Sequence, residues 1–312
     1  MTSAVGVDQL QPVLRKIGMA PVANVVPMVG GSSPVFLLQL ADGERLVLKT
    51  YSDLRNTLPA KEAYASGLLA GLDIPVTRYL LHDDTREQLP FRFALTNYLP
   101  GVSAREFKDD PAAVGFYKQV GALLRKLHSV VMPGYGPFGA EGLIDPDSTN
   151  TVHMRKSIDG AFERFRRQGG DTELTQKLRR IVNDDFSDIV VHGRNAVFAH
   201  DDVHPGNVLA IRSEDGSLQL SGLIDFGNAR AADAISDLAK CLFCSEHEAP
   251  GSSVHILEGY GPIDHPAPQS AVRYYTLLHR VTMWAWLRQI GIIPDAGMPS
   301  GLIDDLWDMA RE

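Results

Sequence analysis

The 312-residue chain has only two cysteines, Cys241 and Cys244. Two cysteines cannot build a disulfide framework, so packing must hold the fold, and a reducing cytoplasm is the expected compartment. Their Cys-x-x-Cys spacing lacks the second pair of a zinc site. In the run 237–244 both sulfurs are expected on the packed face of a helix. Cations are also scarce: 30 Lys and Arg against 38 Asp and Glu leave a net charge of −8. A sequence-independent nucleic-acid binder needs surplus cations to displace phosphate counterions, so no nucleic-acid partner is expected, and a small cationic ligand fits better. Long apolar runs are absent too. The stretch 274–294 is broken by His279, Arg280, Arg288 and Gln289 and reads as a core helix rather than a membrane span. Residues 1–14 carry no basic-then-apolar leader pattern, so no membrane partner is expected. What remains, 44% apolar and 22% charged residues, is the balance of an ordinary globular protein. The length accommodates two lobes around a cleft.

The first hundred residues carry strand patterns. Apolar runs at 35–40 and 45–51 flank Asp42-Gly43, which predicts a hairpin with a tight primed turn. A helix is expected over 59–72, opened by Pro59 and closed near Gly71, and a strand over 91–98. Leu99-Pro100-Gly101 then marks a boundary between a unit of 1–98 and one of 99–312. Beyond it the period becomes helical. Asp110-Pro111 reads as a cap and first-turn proline, followed by Val114, Tyr117, Gly121, Leu124 and Leu127 at helical spacing. Further helices are expected over 158–167, 174–186, 234–244, 271–289 and 302–309. One hairpin interrupts them, with runs at 208–211 and 218–224 around Ser213-Glu-Asp-Gly216. The expected class is α+β.

That second hairpin is bracketed by His200-Asp201-Asp202-Val203-His204-Pro205-Gly206-Asn207 and by Ile224-Asp225-Phe226-Gly227. With the turn centred on Asp215-Gly216, residue 207 lies opposite about 224. Asn207 and Asp225 then arrive together at the open end, with Asp202 just upstream. An amide oxygen and a carboxylate are hard ligands of the kind Mg²⁺ takes alongside substrate phosphates. The alternation of His200, Asp202 and His204 would also suit a metallohydrolase strand. Pro205-Gly206 opposes an extended strand there, and no second His/Asp cluster is spaced to complete the shell.

The pattern His-x-Asp-x-x-x-x-Asn followed by Ile-Asp-Phe-Gly resembles the catalytic and metal-binding loops of the aminoglycoside phosphotransferase and choline kinase family. The resemblance implies a two-lobed protein-kinase-like fold, with a small antiparallel-sheet lobe and a mainly helical lobe. It implies ATP as phosphoryl donor and Mg²⁺ held by Asn207 and Asp225. Asp202 would accept the proton of the attacking hydroxyl, and Lys49 would clamp the non-transferred phosphates, held forward by Glu62. Gly30, Gly31, Ser32 and Ser33 resemble the phosphate-covering turn, and Asn97, Tyr98 and Leu99 the hinge whose backbone receives adenine. His200 would support the loop, and Asp237 resembles the family's structural aspartate. Two residues depart from the pattern: Asp201 stands where glycine is usual, and Pro34 where a small polar residue is common. Gly134-Tyr-Gly-Pro-Phe-Gly139 is similar to a segment of hygromycin B phosphotransferases and is expected, with the C-terminal helices, to line the cleft.

The expected acceptor is a hydroxyl of a small cationic molecule, an aminoglycoside or another amino-sugar or aminoalcohol. Candidate acids for it are Asp233, Glu246, Glu248, Asp304, Asp305 and Asp308. A protein substrate is not expected, because a helix start at 233–239 follows Asp225 too closely for a peptide-docking segment. A different class of function, a kinase-fold nucleotide-binding regulator with impaired catalysis, is the alternative; intact Lys49, Asp202, Asn207 and Asp225 favour the enzyme.

Overall fold

A computed structural model describes residues 5–28, 33–52, 58–298 and 300–311. Helix α1 (Val7–Lys16) precedes strands β1 (Val22–Met28), β2 (Val35–Leu40) and β3 (Arg45–Tyr51). Helix α2 (Pro59–Gly67) then leads to β4 (Tyr79–Asp83) and β5 (Arg92–Asn97). The five strands form one antiparallel sheet in the order β1-β2-β3-β5-β4. Alternation along β3 buries Leu46 and Leu48 beneath α1, against Leu10, Leu14, Phe36 and Phe93. Lys49 therefore points to the other face, where α2 lies.

Both predicted hairpins form, but neither has a two-residue primed turn. Each is a three-residue loop ending in a glycine at positive φ, Gly43 at 91° and Gly216 at 85°. Leu40 N bonds Glu44 O across the first loop, and Ser213 N bonds Ser217 O across the second. The glycine is still required, since it occupies the left-handed position that closes such loops.

The remainder is mainly helical: α3 (Ala113–Leu127), α4 (Asn150–Arg167), α5 (Thr172–Asp184), α6 (Phe186–Ile189), α7 (Ala234–Glu248), α8 (Ser252–Tyr260), α9 (Pro268–Gln289) and α10 (Gly301–Met309). Six short strands are set among them: β6 (Val102–Ser103), β7 (Gly136–Pro137), β8 (Val197–Ala199), β9 (Val208–Arg212), β10 (Leu218–Leu223) and β11 (Arg230–Ala232). They pair as β10-β9-β6 and β7-β11-β8. One core gathers Phe116, Leu124, Phe198, Phe226 and Leu238. A second, around Phe165 and Trp284 with ring centroids 4.6 Å apart, joins α4, α5, α9 and α10.

Several boundaries differ from expectation. Helix α3 starts at Ala113, because Asp110 closes a turn by accepting from Ala112 N and Ala113 N. Val114 is exposed, and the buried stripe runs instead through Phe116, Tyr117, Val120 and Leu124. Helix α2 ends at Gly67, and the 174–186 helix divides into α5 and α6 near Asp185. Helix α4 begins eight residues early, where the Thr149 side chain accepts from Val152 N. Cys241 is fully buried, whereas Cys244 is only partly so, correcting the expectation for both sulfurs. Among the described residues no helix is long and apolar enough to cross a membrane.

Candidate active site

The β9–β10 ladder brings the polar brackets together. Its pairing shifts by one residue between Leu220↔Ala210 and Gly222↔Leu209, a bulge at Ser221. That shift offsets the longer turn, so Ile224 N bonds Asn207 O at 3.0 Å, opposite as the sequence predicts. Asn207 Nδ2 donates to Asp202 O (3.0 Å) and Asp202 Oδ2 (3.2 Å). Asp225 sits in the left-handed region at φ 65°, where its carboxylate accepts from Gly227 N. Across the cleft, Lys49 Nζ is 2.9 Å from Asp225 Oδ1 and 2.9 Å from both Glu62 oxygens. Glu62 is fully buried and also accepts from Tyr79 OH at 2.5 Å.

These contacts fix charge as well as position. Burial opposes the Lys49 ammonium, but Glu62 and Asp225 outweigh it and raise its pKa above the ordinary lysine value. Burial likewise opposes the Asp225 carboxylate, and Lys49 holds it below the usual range. The pair is ionised throughout the neutral region.

The loop before Asp202 hangs on Asp237. Its Oδ2 accepts from His200 N (2.9 Å), its Oδ1 from Asp201 N (2.8 Å), and His128 Nε2 lies 3.1 Å from Oδ2. His200 is wholly buried and its Nε2 meets Ile224 O at 3.2 Å, so that nitrogen is the donor. Burial lowers its pKa, and it serves as a neutral strut. Asp201 takes φ 55°, a conformation that favours glycine and that a short polar side chain tolerates. Lys240, which the sequence reading missed, lies 3.6 Å from Asp201 Oδ1 and 3.5 Å from Asp202 Oδ1, and donates to Asp201 O. Its i+3 relation to Asp237 on α7 was the available signal.

The donor set suits magnesium. With Nδ2 committed to Asp202, the Asn207 amide has Oδ1 to offer; Asp225 has Oδ2 beyond the oxygen on Lys49. Such hard oxygens, few in number, match an ion that takes one or two protein ligands plus substrate phosphates. Among the described residues no group of three or more His, Cys, Asp and Glu side chains forms a cage that could replace phosphate.

A cleft of about 950 Å³ is lined by Ser33, Lys49, Glu62, Asp202 and Asp225, and on its far side by α4 and α9. Gly30, Gly31 and Ser32 lie outside the described residues. Pro34 contributes its carbonyl to Thr50 N (3.0 Å) and no N–H. Asn207 and the expected hinge residues 97–99 are not part of that lining. Asn97 bonds Arg78 with both its backbone N (3.1 Å) and its Oδ1 (2.6 Å). Tyr98 lies under the Arg45 guanidinium, 4.0 Å from ring centroid to Cζ. Leu99 packs against Gly222, where a Cβ would come within 3.0 Å of its Cδ1.

Two expectations about the cleft are corrected. The 134–139 segment does not line it: Tyr135 and Phe138 are buried in the core, and β7 pairs with β11. Of the six candidate acids only Asp233 reaches the lining, and it is buried as the cap of α7. Glu248 is held by Arg105 (2.6 Å) and His204 (3.0 Å), and Glu246 accepts from Gly251 N and Ser253 N. Asp305 pairs with Arg280 and Asp308 with Arg311, while Asp304 lies in the first turn of α10.

An antiparallel sheet presenting Lys49, held by Glu62 from helix α2, to a helical part that carries the Asp202 loop and Asp225 is the arrangement of the protein-kinase-like fold. The Phosphotransferase enzyme family (APH) matches residues 25–270, and the chain belongs to it. It is thereby a phosphotransferase of the small-molecule kinase type. Solved structures agree on the fold. A thermostable mutant of aminoglycoside phosphotransferase APH(4)-Ia, in ternary complex with ADP and hygromycin B, is 18% identical with a TM-score of 0.70, covering 96% of each chain. A putative fructosamine-3-kinase from Thermobifida fusca is 17% identical with a TM-score of 0.63, covering 98% of each chain. The aminoglycoside phosphotransferase APH(2")-IIIa, in complex with GDP and kanamycin, is 16% identical with a TM-score of 0.63, covering 98% of this chain and 99% of that one. No curated protein matches the chain.

Proposed function

We propose that the protein transfers the γ-phosphoryl of ATP, with Mg²⁺, to a hydroxyl of a small molecule. Residues 1–98 would form the nucleotide-binding lobe and 99–312 the catalytic and acceptor-binding lobe. The observation that carries the reading is Lys49 Nζ lying 2.9 Å from both Glu62 and Asp225, on the same cleft as Asp202. An ammonium so placed meets the non-transferred phosphates, and Asp202 orients the hydroxyl and takes its proton. Lys240 holds one oxygen of the Asp202 carboxylate while Asn207 fixes the other, so the group is aimed from both sides. Asn207 and Asp225 would hold the metal, which when bound neutralises phosphate oxygens. Positioning and charge neutralisation dominate such chemistry, because its loose transition state needs little covalent help. The ADP and GDP complexes of the structural relatives support a nucleotide donor, and their hygromycin B and kanamycin complexes a small acceptor.

ADP release measured by a coupled assay across a broad panel of hydroxyl compounds tests the reading. Turnover with at least one of them is expected, reduced about a thousandfold in Asp202→Ala. Tight nucleotide binding with no transfer to any acceptor would favour a regulator instead.

A further inference from the structure

The far wall of the cleft is basic, which the overall charge of −8 conceals. Helix α4 sets His153, Ser157, Gly160 and Arg164 along one face, all lining the cavity. Strand β11 adds Arg230, opposite Ala199 and so close in the fold to the loop that bears Asp202. The carboxylates on the lining are already engaged. Lys49 takes Glu62 and Asp225, Lys240 takes Asp201 and Asp202, and Asp237 and Asp233 receive backbone N–H groups. Arg164 and Arg230, by contrast, have no carboxylate partner among the described residues.

Arg230 is nevertheless held in place. His153 Nδ1 lies 3.1 Å from Asp147 Oδ2, and its Nε2 lies 3.1 Å from Arg230 Nη2. Burial, then Arg230, pushes the imidazole below its ordinary pKa, so His153 is neutral and accepts from the guanidinium. Arg230 Nε is buried without an acceptor, an unmet donor of a fixed cation. The two arginines also feel each other: although Arg164 is largely exposed, partial desolvation of its guanidinium in the cleft, then Arg167 and Arg230, lower its pKa. Cations that converge without a counter-charge cost stability unless an anion joins them.

We propose that the phosphoryl acceptor carries an oxyanion, carboxylate or phosphate, bound between Arg164 and Arg230. The acceptor class is then a hydroxylated acid or phosphate ester rather than an amino-sugar; this rests on the phosphotransferase reading above. Guanidinium forks match the planar oxygens of such groups. Trp286, exposed on α9 within the same cavity, offers a flat apolar face for the carbon skeleton. In the reaction the acceptor oxygen bonds the γ-phosphorus, the bond to the β,γ-bridging oxygen breaks, and the hydroxyl proton passes to Asp202. The products are a nucleoside diphosphate and a phosphate monoester that keeps its original anion.

The test compares gluconate, glucose 6-phosphate, glucose and glucosamine as acceptors by initial-rate ADP release. An anionic member is expected to exceed neutral glucose by about tenfold or more in kcat/KM, and the better of the two anions identifies its group. Arg164→Gln and Arg230→Gln should each raise acceptor KM by about tenfold. Nucleotide KM should stay within about twofold, and Arg164→Lys should recover part of the loss. Arg164 is exposed on α4, so its substitution leaves folding intact even if Arg230→Gln does not. Preference for glucosamine, or an equal rise in nucleotide KM, overturns the proposal. If no acceptor turns over, calorimetry of the two anions with protein saturated by a non-hydrolysable ATP analogue decides: binding lost in Arg164→Gln sustains the site, and no binding overturns it. Failure of the nucleotide itself to bind overturns the phosphotransferase reading instead.

Discussion

Lys49 carries two carboxylates at 2.9 Å, one fully buried on α2 and one half exposed across the cleft. Removing it would leave Glu62 charged and unpaired in the interior, which costs about 3 kcal/mol or more. Lys49→Ala is therefore expected to lower the thermal midpoint as well as nucleotide affinity, a double effect that calorimetry resolves. Glu62→Gln should cost less stability, because a neutral amide can still receive Tyr79 OH and Lys49. Glu248 supplies a pH signature. Burial opposes its charge, but Arg105 and His204 hold its pKa down to about 2, against 4.5 for the free group. A depressed carboxylate contributes stability that is complete above 4.5 and is lost as the pH falls toward 2. The thermal midpoint of the wild type should thus fall between those limits, and that of Glu248→Gln should fall less. Equal slopes for the two proteins would contradict the pairing.

At the scale of elements, α3 and α8 touch along two glycines. A methyl on Gly121 would overlap Ile256 O, and one on Gly259 would overlap Lys118 O. Gly121→Ala gains helix propensity yet must push the helices apart, so the thermal midpoint is expected to drop by about 5 °C. An unchanged midpoint would mean that the contact yields. The two hairpins were legible because Asp-Gly is needed at their turns, and the Ser221 bulge happened to restore the register that places Asn207. The start of α4 was not, since residues 150–157 mix polar and apolar side chains around His153, whose burial depends on Asp147 and Arg230. Helix α8 went unseen for a similar reason, its buried Ile256 and Tyr260 standing among exposed residues. Within the site, the motif residues were readable because their spacing is local. Lys240, Arg164 and Arg230 were not, because a single cation on a helix or short strand reads as solvated until its neighbours are known.

At the scale of the whole molecule, Lys49 and Glu62 from one part of the chain and Asp202 and Asp225 from a distant one meet at one cleft between the sheet and the helices, with Asn207 behind Asp202. The net charge of −8 describes the surface and not this cleft: of the acids expected to draw a cationic ligand only Asp233 reaches it, committed as a helix cap, and the far wall is basic. Phosphorus NMR of the protein incubated with ATP, Mg²⁺ and an acceptor tests the central claim most directly. The arrangement of Lys49, Asp202 and Asp225 predicts one new phosphate-monoester resonance appearing in step with ADP, and its loss in Asp202→Ala. Intact ATP with every acceptor, release of inorganic phosphate alone, or an equal yield from Asp202→Ala would contradict it.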